Sequence, residues 1–337
     1  MKQELGITFR SESQTPRLIE EVATRHGRDI DMLGVYDDLG DFPPVVPLMF
    51  AARALPKDAH TRLGPVGFAV PKHRSMVDIV GNMTALHNMR PNKVFMGLVS
   101  GAWMEELGLT SASVEKMKEA IESARYLFGK KTKGYEGKYF SIKPGFVLGY
   151  ETPKDMPILL GAYGPKLTAL AGEMANEVKV GGSANPALVP IIRERIAVGA
   201  KRAGRDEQNI RLAFGAVSII DPDRKKALDT ARKKAVVYIN VIGDKDPTIM
   251  RDYPKEIAEI KNAMAVGDVS RAVRFLPDAL TKRFTLAGTP RDVITQTEDL
   301  FNAGVDRIEF GTPHGVIDEI SGINLLVAKV FPHFRTG

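Results

Sequence analysis

The stretch PILLGAYGPKLTALAGEMANEVKVG, residues 157–181, decides the fold. It opens on a short apolar run, 157–162. A glycine-rich turn follows, with Pro165 placed where a helix would take its first residue. A second short run, 177–181, comes after one helix length. Strand, turn, helix, strand in that spacing is the unit of a parallel sheet, because parallel neighbours need a crossover between them. The same beat continues in both directions. Towards the N-terminus, short apolar runs lie at 93–99, 62–68, 31–36 and 5–9. Towards the C-terminus they lie at 212–220 and 307–311. Helical segments are predicted between them at 15–25, 45–55, 75–89, 113–128, 186–203 and 317–330. In 113–128 the residues Val114, Met117, Ile121, Ala124, Leu127 and Phe128 recur at helical spacing. Eight strands, each followed by a helix, predict a (β/α)8 TIM barrel built as one domain over 1–337. The segment at about 243–287 is longer than one helix needs and reads as a helical insertion before the last β/α unit. An open doubly wound sheet is the alternative, but no G-x-G-x-x-G turn follows the first strand.

Composition narrows the chemistry. The chain has 337 residues, 44% of them hydrophobic, which suits a globular protein with a sizeable core. It contains no cysteine, so disulfides, thiolate metal sites and a thiol nucleophile are excluded. The six histidines show no metal-ligand spacing, so no metal is expected. The N-terminal stretch turns polar again by Arg10, and no apolar run is long enough to span a bilayer; a cytoplasmic protein with no membrane partner is the expectation. Lysine and arginine exceed the acids by 47 to 41, a net charge of +6. The basic runs near Lys130, Lys225 and Lys233 read as solvated faces or as attraction for an anionic ligand. No nucleic-acid-binding motif accompanies them.

In a barrel, chemistry gathers at the C-terminal strand ends. The sequence puts there Thr8, Arg10 and Glu12; Asp37 and Asp38; Val66, Gly67 and Phe68; Ser100 and Gly101, with Trp103 and Glu105 beyond; Gly161, Ala162, Tyr163 and Gly164; Gly181, Gly182 and Ser183; and Thr312, Pro313 and His314. The turn Gly161–Gly164, followed by Pro165 and Lys166, presents backbone N–H groups, a helix dipole and a cation, which together suit a phosphate. Tight turning and close packing would also account for its glycines. Asp37, Asp38, Glu105 and His314 are the candidate proton-handling groups. Helix capping, surface charge or a plain loop position would equally explain them.

Several segments taken in order resemble the bacterial-luciferase-like superfamily of flavin and deazaflavin enzymes. They are RLGPVG at 62–67, MTALHNM at 83–89, YEGKYF at 135–140, PILLGAYGPK at 157–166, LAGEMANEV at 170–178 and GTP at 288–290. Within it the chain is most similar to the branch that uses coenzyme F420, and there to the methylenetetrahydromethanopterin reductases. The resemblance implies a homodimer that moves a hydride between coenzyme F420 and a small organic substrate, such as a methylene-tetrahydropterin. It implies that Val66, Gly67 and Phe68 border the ring, with a non-proline cis peptide at Val66–Gly67. It places Ser100, Gly101 and Glu105 in the loop after strand four. It gives Gly161, Ala162, Gly164, Pro165 and Lys166 to the cofactor phosphate, and matches Asp37 to the acid after strand two. Asp38 stands where histidine is common, which argues against the sugar-phosphate dehydrogenases of the branch. Thr8 stands where the reductases often carry an acid. An FMN-dependent monooxygenase and a non-catalytic barrel are the alternatives.

Overall fold

A computed structural model describes residues 3–335 apart from 39 and 73. Eight parallel strands form the barrel wall: β1 Glu4–Phe9, β2 Met32–Val35, β3 Arg62–Pro65, β4 Met96–Val99, β5 Ile158–Gly161, β6 Glu177–Gly181, β7 Arg211–Ile220 and β8 Arg307–Gly315. Each pairs with the next, and β8 pairs with β1, Glu4 opposite Arg307. Between β3 and β4 the join is made by Phe68–Ala69, which continues β3 after a two-residue break, and by a bridge from Leu63 to Val94.

The outer layer holds α1 Thr15–His26, α2 Val45–Ala54, α3 Met76–Met89, α4 Val114–Phe128, α5 Pro165–Met174, α6 Val189–Arg202, α7 Arg224–Ile242, then α8 Pro247–Asp252, α9 Pro254–Ala265, α10 Val269–Arg274, α11 Asp278–Phe284, α12 Pro290–Asn302 and α13 Glu319–Leu325. Local chemistry explains their starts. Ser113 accepts a hydrogen bond from Lys116 N to open α4. Thr289 and Asp292 form a reciprocal capping box on α12, with Pro290 in its first turn. The helices bury one face against the outward strand residues, among them Leu5, Ile7, Leu33, Met96, Leu160, Val178, Phe214 and Ile308. Each such aliphatic side chain contributes roughly 1.5–3 kcal/mol when removed from water.

The alternate residues on every strand point into the barrel, because side chains change face at each step. That inner set holds two groups, which meet where Arg62 and Arg307 lie over the Phe95 ring, each at 5.7 Å. Met32, Val66, Phe95 and Leu159 form a small apolar cluster on one side. Glu4, Arg62, Glu177, Lys179, Arg211, Arg307 and Glu309 fill the other with ion pairs.

Two features differ from the sequence reading. A short strand, Thr285–Gly288, lies where helix alone was expected; it pairs with the upper half of β7, while the lower half of β7 pairs with β6. Four residues between helices carry no periodicity, so only the neighbour they pair with makes them a strand. The cis peptide expected at Val66–Gly67 is absent: among the described residues the cis bond is Thr312–Pro313. At the break in β3 the chain instead turns through Gly67 at φ 153°, and a side chain there would strike Val99 at 2.2 Å. Glycine absorbs the bend with a trans bond.

Helices α8–α11 are tied to the end of β6 by buried polar contacts. Asn185 Nδ2 donates to Asp246 Oδ2 at 2.7 Å and to Thr248 Oγ1 at 2.8 Å. Among the described residues, no helix is long and apolar enough to cross a membrane.

Candidate active site at the barrel mouth

The C-terminal strand ends bring most of the expected residues to one rim, in different roles from one another. Asp37 follows β2 with its carboxylate fully buried. It accepts from Ala69 N at 2.9 Å and from Lys72 Nζ at 3.1 Å, and it is paired with the Arg74 guanidinium. Arg74 in turn lies over the Phe68 ring at 5.5 Å. A carboxylate held by one amide and two cations is an anchor for the segment 69–74 rather than a mobile acid.

Asp38 is different. It is partly exposed and meets Arg10 Nε at 3.0 Å. Arg10 is shared with Asp41 and Glu12. Burial pushes the Asp38 carboxyl above the usual carboxylate range; Arg10 opposes this, and the like charges of Asp41 and Asp37 add to it. Burial and like charge thus favour the protonated form of Asp38, while Arg10 favours the charged one.

Tyr36 and Thr8 lie just inside. Thr8 Oγ1 donates to Phe310 O at 3.3 Å, so it accepts from Tyr36 Oη at 2.7 Å. Burial pushes the phenols of Tyr36 and Tyr238 up, which keeps them neutral. Tyr238, on α7, lies within electrostatic reach of Tyr36, Asp38 and Arg10 and adds a wall to the mouth.

On the other side of the same rim Gly164 is the N-cap of α5, exposed and without a side chain. A Cβ built there meets nothing within 4 Å. Pro165 has no N–H, and first-turn amides have no intrahelical acceptor. Lys166 is exposed beside them. Gly161 faces inward against Val99, whereas Ala162 is buried in the outer core.

Other candidates are placed elsewhere. The Phe68 ring is buried in the outer core, so its side chain does not face the mouth. Ser100 and Gly101 sit in a loop held by Ala112 N to Ser100 O at 2.7 Å and Ser111 Oγ to Gly101 O at 2.8 Å. Glu105 lies exposed on the short turn Met104–Leu107, and its side chain makes no hydrogen bond or ion pair among the described residues. His314 is fully buried. Its Nε2 is 3.2 Å from Phe310 O and its Nδ1 is 2.8 Å from Glu319 Oε2, which also accepts from Thr312 Oγ1. With both ring nitrogens engaged, His314 holds the end of β8 to α13. No group of side chains suited to hold a metal occurs among the described residues.

The sequence reading passed over the charged interior beneath this rim. The signal was there: E-V-K-V-G in β6 and R-I-E-F-G in β8 put two charges and a glycine on one face of a buried strand.

Comparison with known proteins bears on the family and the fold. The family model for luciferase-like monooxygenases matches residues 30–307. A 5,10-methylenetetrahydromethanopterin reductase of Archaeoglobus fulgidus is 28% identical over 284 residues, 81% of this chain and 83% of its own. One from Methanolobus tindarius is 31% identical over 258 residues, 74% of this chain and 77% of its own. The structure of the coenzyme F420 dependent tetrahydromethanopterin reductase from Methanopyrus kandleri superposes with a TM-score of 0.88 at 23% identity, covering 99% of this chain and all of that one. By fold, by strand-end motifs and by sequence, the chain belongs to the luciferase-like family.

Proposed function

We propose that this protein is an oxidoreductase that moves a hydride between coenzyme F420 and a small organic substrate, with a methylene-tetrahydropterin as the substrate class. The observation that carries the reading is the open, uncapped N-terminus of α5 at the mouth, with Gly164 leaving room for a phosphate and Lys166 beside it. A second fits the ring: at the inward position Gly181, a Cβ would meet only Lys179 Cε, at 3.9 Å, so the mouth is clear there. The bound deazaflavin would supply two electrons as hydride.

The protein's own residues supply position, dryness and a proton. Gly161, Gly164, Pro165 and Lys166 would hold the phosphate, and Val66 and Gly67 would border the ring through the break in β3. Asp37 fixes the segment 69–74, and with it the shape of that side of the mouth. Asp38 is the residue placed to hold or deliver a proton at the substrate, through Oδ1 or Oδ2. Glu105 stands on the loop after β4 and meets the substrate from outside. His314 positions the end of β8.

The chain acts as a homodimer in the cytoplasm. Phe42, Val46 and Phe50 support that assembly, since they leave an apolar strip exposed at and before α2. The test is equilibrium titration of the purified protein with oxidised coenzyme F420 and with FMN, followed by fluorescence. Saturable deazaflavin binding, tighter than FMN, is expected. Micromolar FMN binding with no deazaflavin binding would overturn the reading in favour of a monooxygenase.

A further inference from the structure

The ion pairs inside the barrel form one continuous alternation of charge. Arg211 pairs with Glu4 at 2.6 Å, Glu4 with Arg62 at 3.0 Å, Arg62 with Glu177, Glu177 with Arg307, Arg307 with Glu309 at 2.9 Å, and Glu309 with Lys179. Arg307 also approaches Glu4 at 3.7 Å, which ties the run to itself. Four cations face three carboxylates, and a cation stands at each end. Among the described residues no further acid joins the run.

The two ends are not equivalent. Arg211 is at the N-terminal rim, 24% exposed, where water can solvate it. Lys179 is 4% exposed, shares its single carboxylate with Arg307, and lies at the floor of the mouth. Its Nζ sits 4.8 Å from the centre of the Tyr36 ring. The neighbouring strands clear space for it. Side chains at Gly215 would come within 3.3 Å of Nζ, and at Gly311 within 3.0 Å of Tyr36 Oη, while the position above it, Gly181, is open. A buried cation that shares its one counter-charge with a second cation gains from a further anion brought to it.

We propose that Lys179 is a specificity-determining residue: it presents the uncompensated positive charge of the barrel interior to the mouth and selects a ring that is itself an anion. This rests on the functional reading above. An 8-hydroxydeazaflavin is a vinylogous acid whose anion is spread over the ring, whereas the oxidised flavin of FMN is neutral. One cation at the floor therefore favours the first over the second, independently of the phosphate at α5. The charged and titratable groups around Lys179 are Glu309 and Arg307 on β8, Glu177 on its own strand, and Tyr36 after β2, with Asp38 beyond. Burial, with a smaller push from Arg307, holds the Lys179 amine below its ordinary value against the opposing pull of Glu309.

The test compares the wild type with Lys179→Met, using oxidised coenzyme F420, its tail-free 8-hydroxydeazariboflavin, and FMN. The acid–base equilibrium of the deazaflavin ring is read from its visible absorbance. In the wild type, binding should shift that equilibrium towards the anion. In Lys179→Met the shift should vanish and affinity for both deazaflavins should fall by at least ~10-fold, with FMN changed by less than ~3-fold. The variant should also keep its melting temperature, because three cations then face three carboxylates and Glu309 keeps Arg307. An ordinary structural ion pair predicts the reverse: a lower melting temperature and unchanged ligand preference. That result, or a ring bound to the wild type with no shift towards the anion, overturns the proposal. A wild type that binds no deazaflavin fails the functional reading first, and this inference with it.

Discussion

Replacing Asp37 with asparagine separates an anchor from a catalytic acid. The substitution keeps the volume and an acceptor for Ala69 N, but removes the charge that holds Lys72 and Arg74. Removing one partner of a buried pair costs about 3–5 kcal/mol, because the other charge is left without compensation. Here the two cations are 12% and 16% exposed and can turn part of the way to water. A loss near the lower bound, about 3 kcal/mol, is therefore expected. Against a total stability of about 5–15 kcal/mol the variant still folds. At roughly 2–4 °C per kcal/mol for large domains, its melting point should fall by roughly 6–12 °C. Thermal unfolding followed by circular dichroism measures this, and hydrogen exchange at the Ala69 amide reports the loosened segment. A melting point within about 2 °C of the wild type, with the Ala69 amide still protected and turnover lost, would refute the reasoning and return Asp37 to proton handling.

Asp38→Asn should do the opposite: turnover falls by roughly 10²–10⁴, the range for loss of a general acid or base, while cofactor affinity changes little. Since the Asp38 carboxyl is raised, the wild-type rate should lose its protonated form above the usual carboxylate range, and the variant's pH profile should lack that limb. Gly164→Asp should weaken cofactor binding by at least ~10-fold, by placing a side chain and an anion at the open end of α5; a fluorescence titration reads it, and normal affinity would move the phosphate site elsewhere. Acid should destabilise the barrel through Glu177. Burial pushes its carboxyl up, but Arg307 and Arg62 outweigh that and hold it down at about 2. Its contribution is present above the unfolded value of about 4.3 and is lost as pH falls from there towards about 2. Urea unfolding between pH 5 and pH 2 should therefore be less steep in pH for Glu177→Gln, at lower overall stability.

Much of the barrel is legible in the sequence. Buried parallel strands are short apolar runs, and helices on both sides of each carry a 3.6-residue stripe and a cap, so β6, α4 and α12 declare themselves locally. The strand ends, and with them the rim of the site, follow from the order of elements. Thr285–Gly288 did not, because four residues become a strand only through pairing with β7. At Val66–Gly67 a motif suggests a cis bond, but the chain turns there through Gly67 at a positive φ.

The roles within the site lay beyond the sequence. Asp37 and Asp38 are adjacent and identical in type. Only the fold brings Lys72, Arg74 and Ala69 to the first and leaves Arg10 and like charges around the second. His314 reads as a loop histidine until Glu319 and the Phe310 carbonyl take both its nitrogens. The sequence by itself determined the barrel, its rim and the pattern of charge on inward strand faces, because these depend on periods of two and 3.6 along the chain. The tertiary structure alone decided which charge is compensated. An ion pair such as Lys179–Glu309 joins residues 130 positions apart, and whether a buried cation keeps its proton, binds an anion or merely fills space depends on the distances between strands that only closure of the barrel sets.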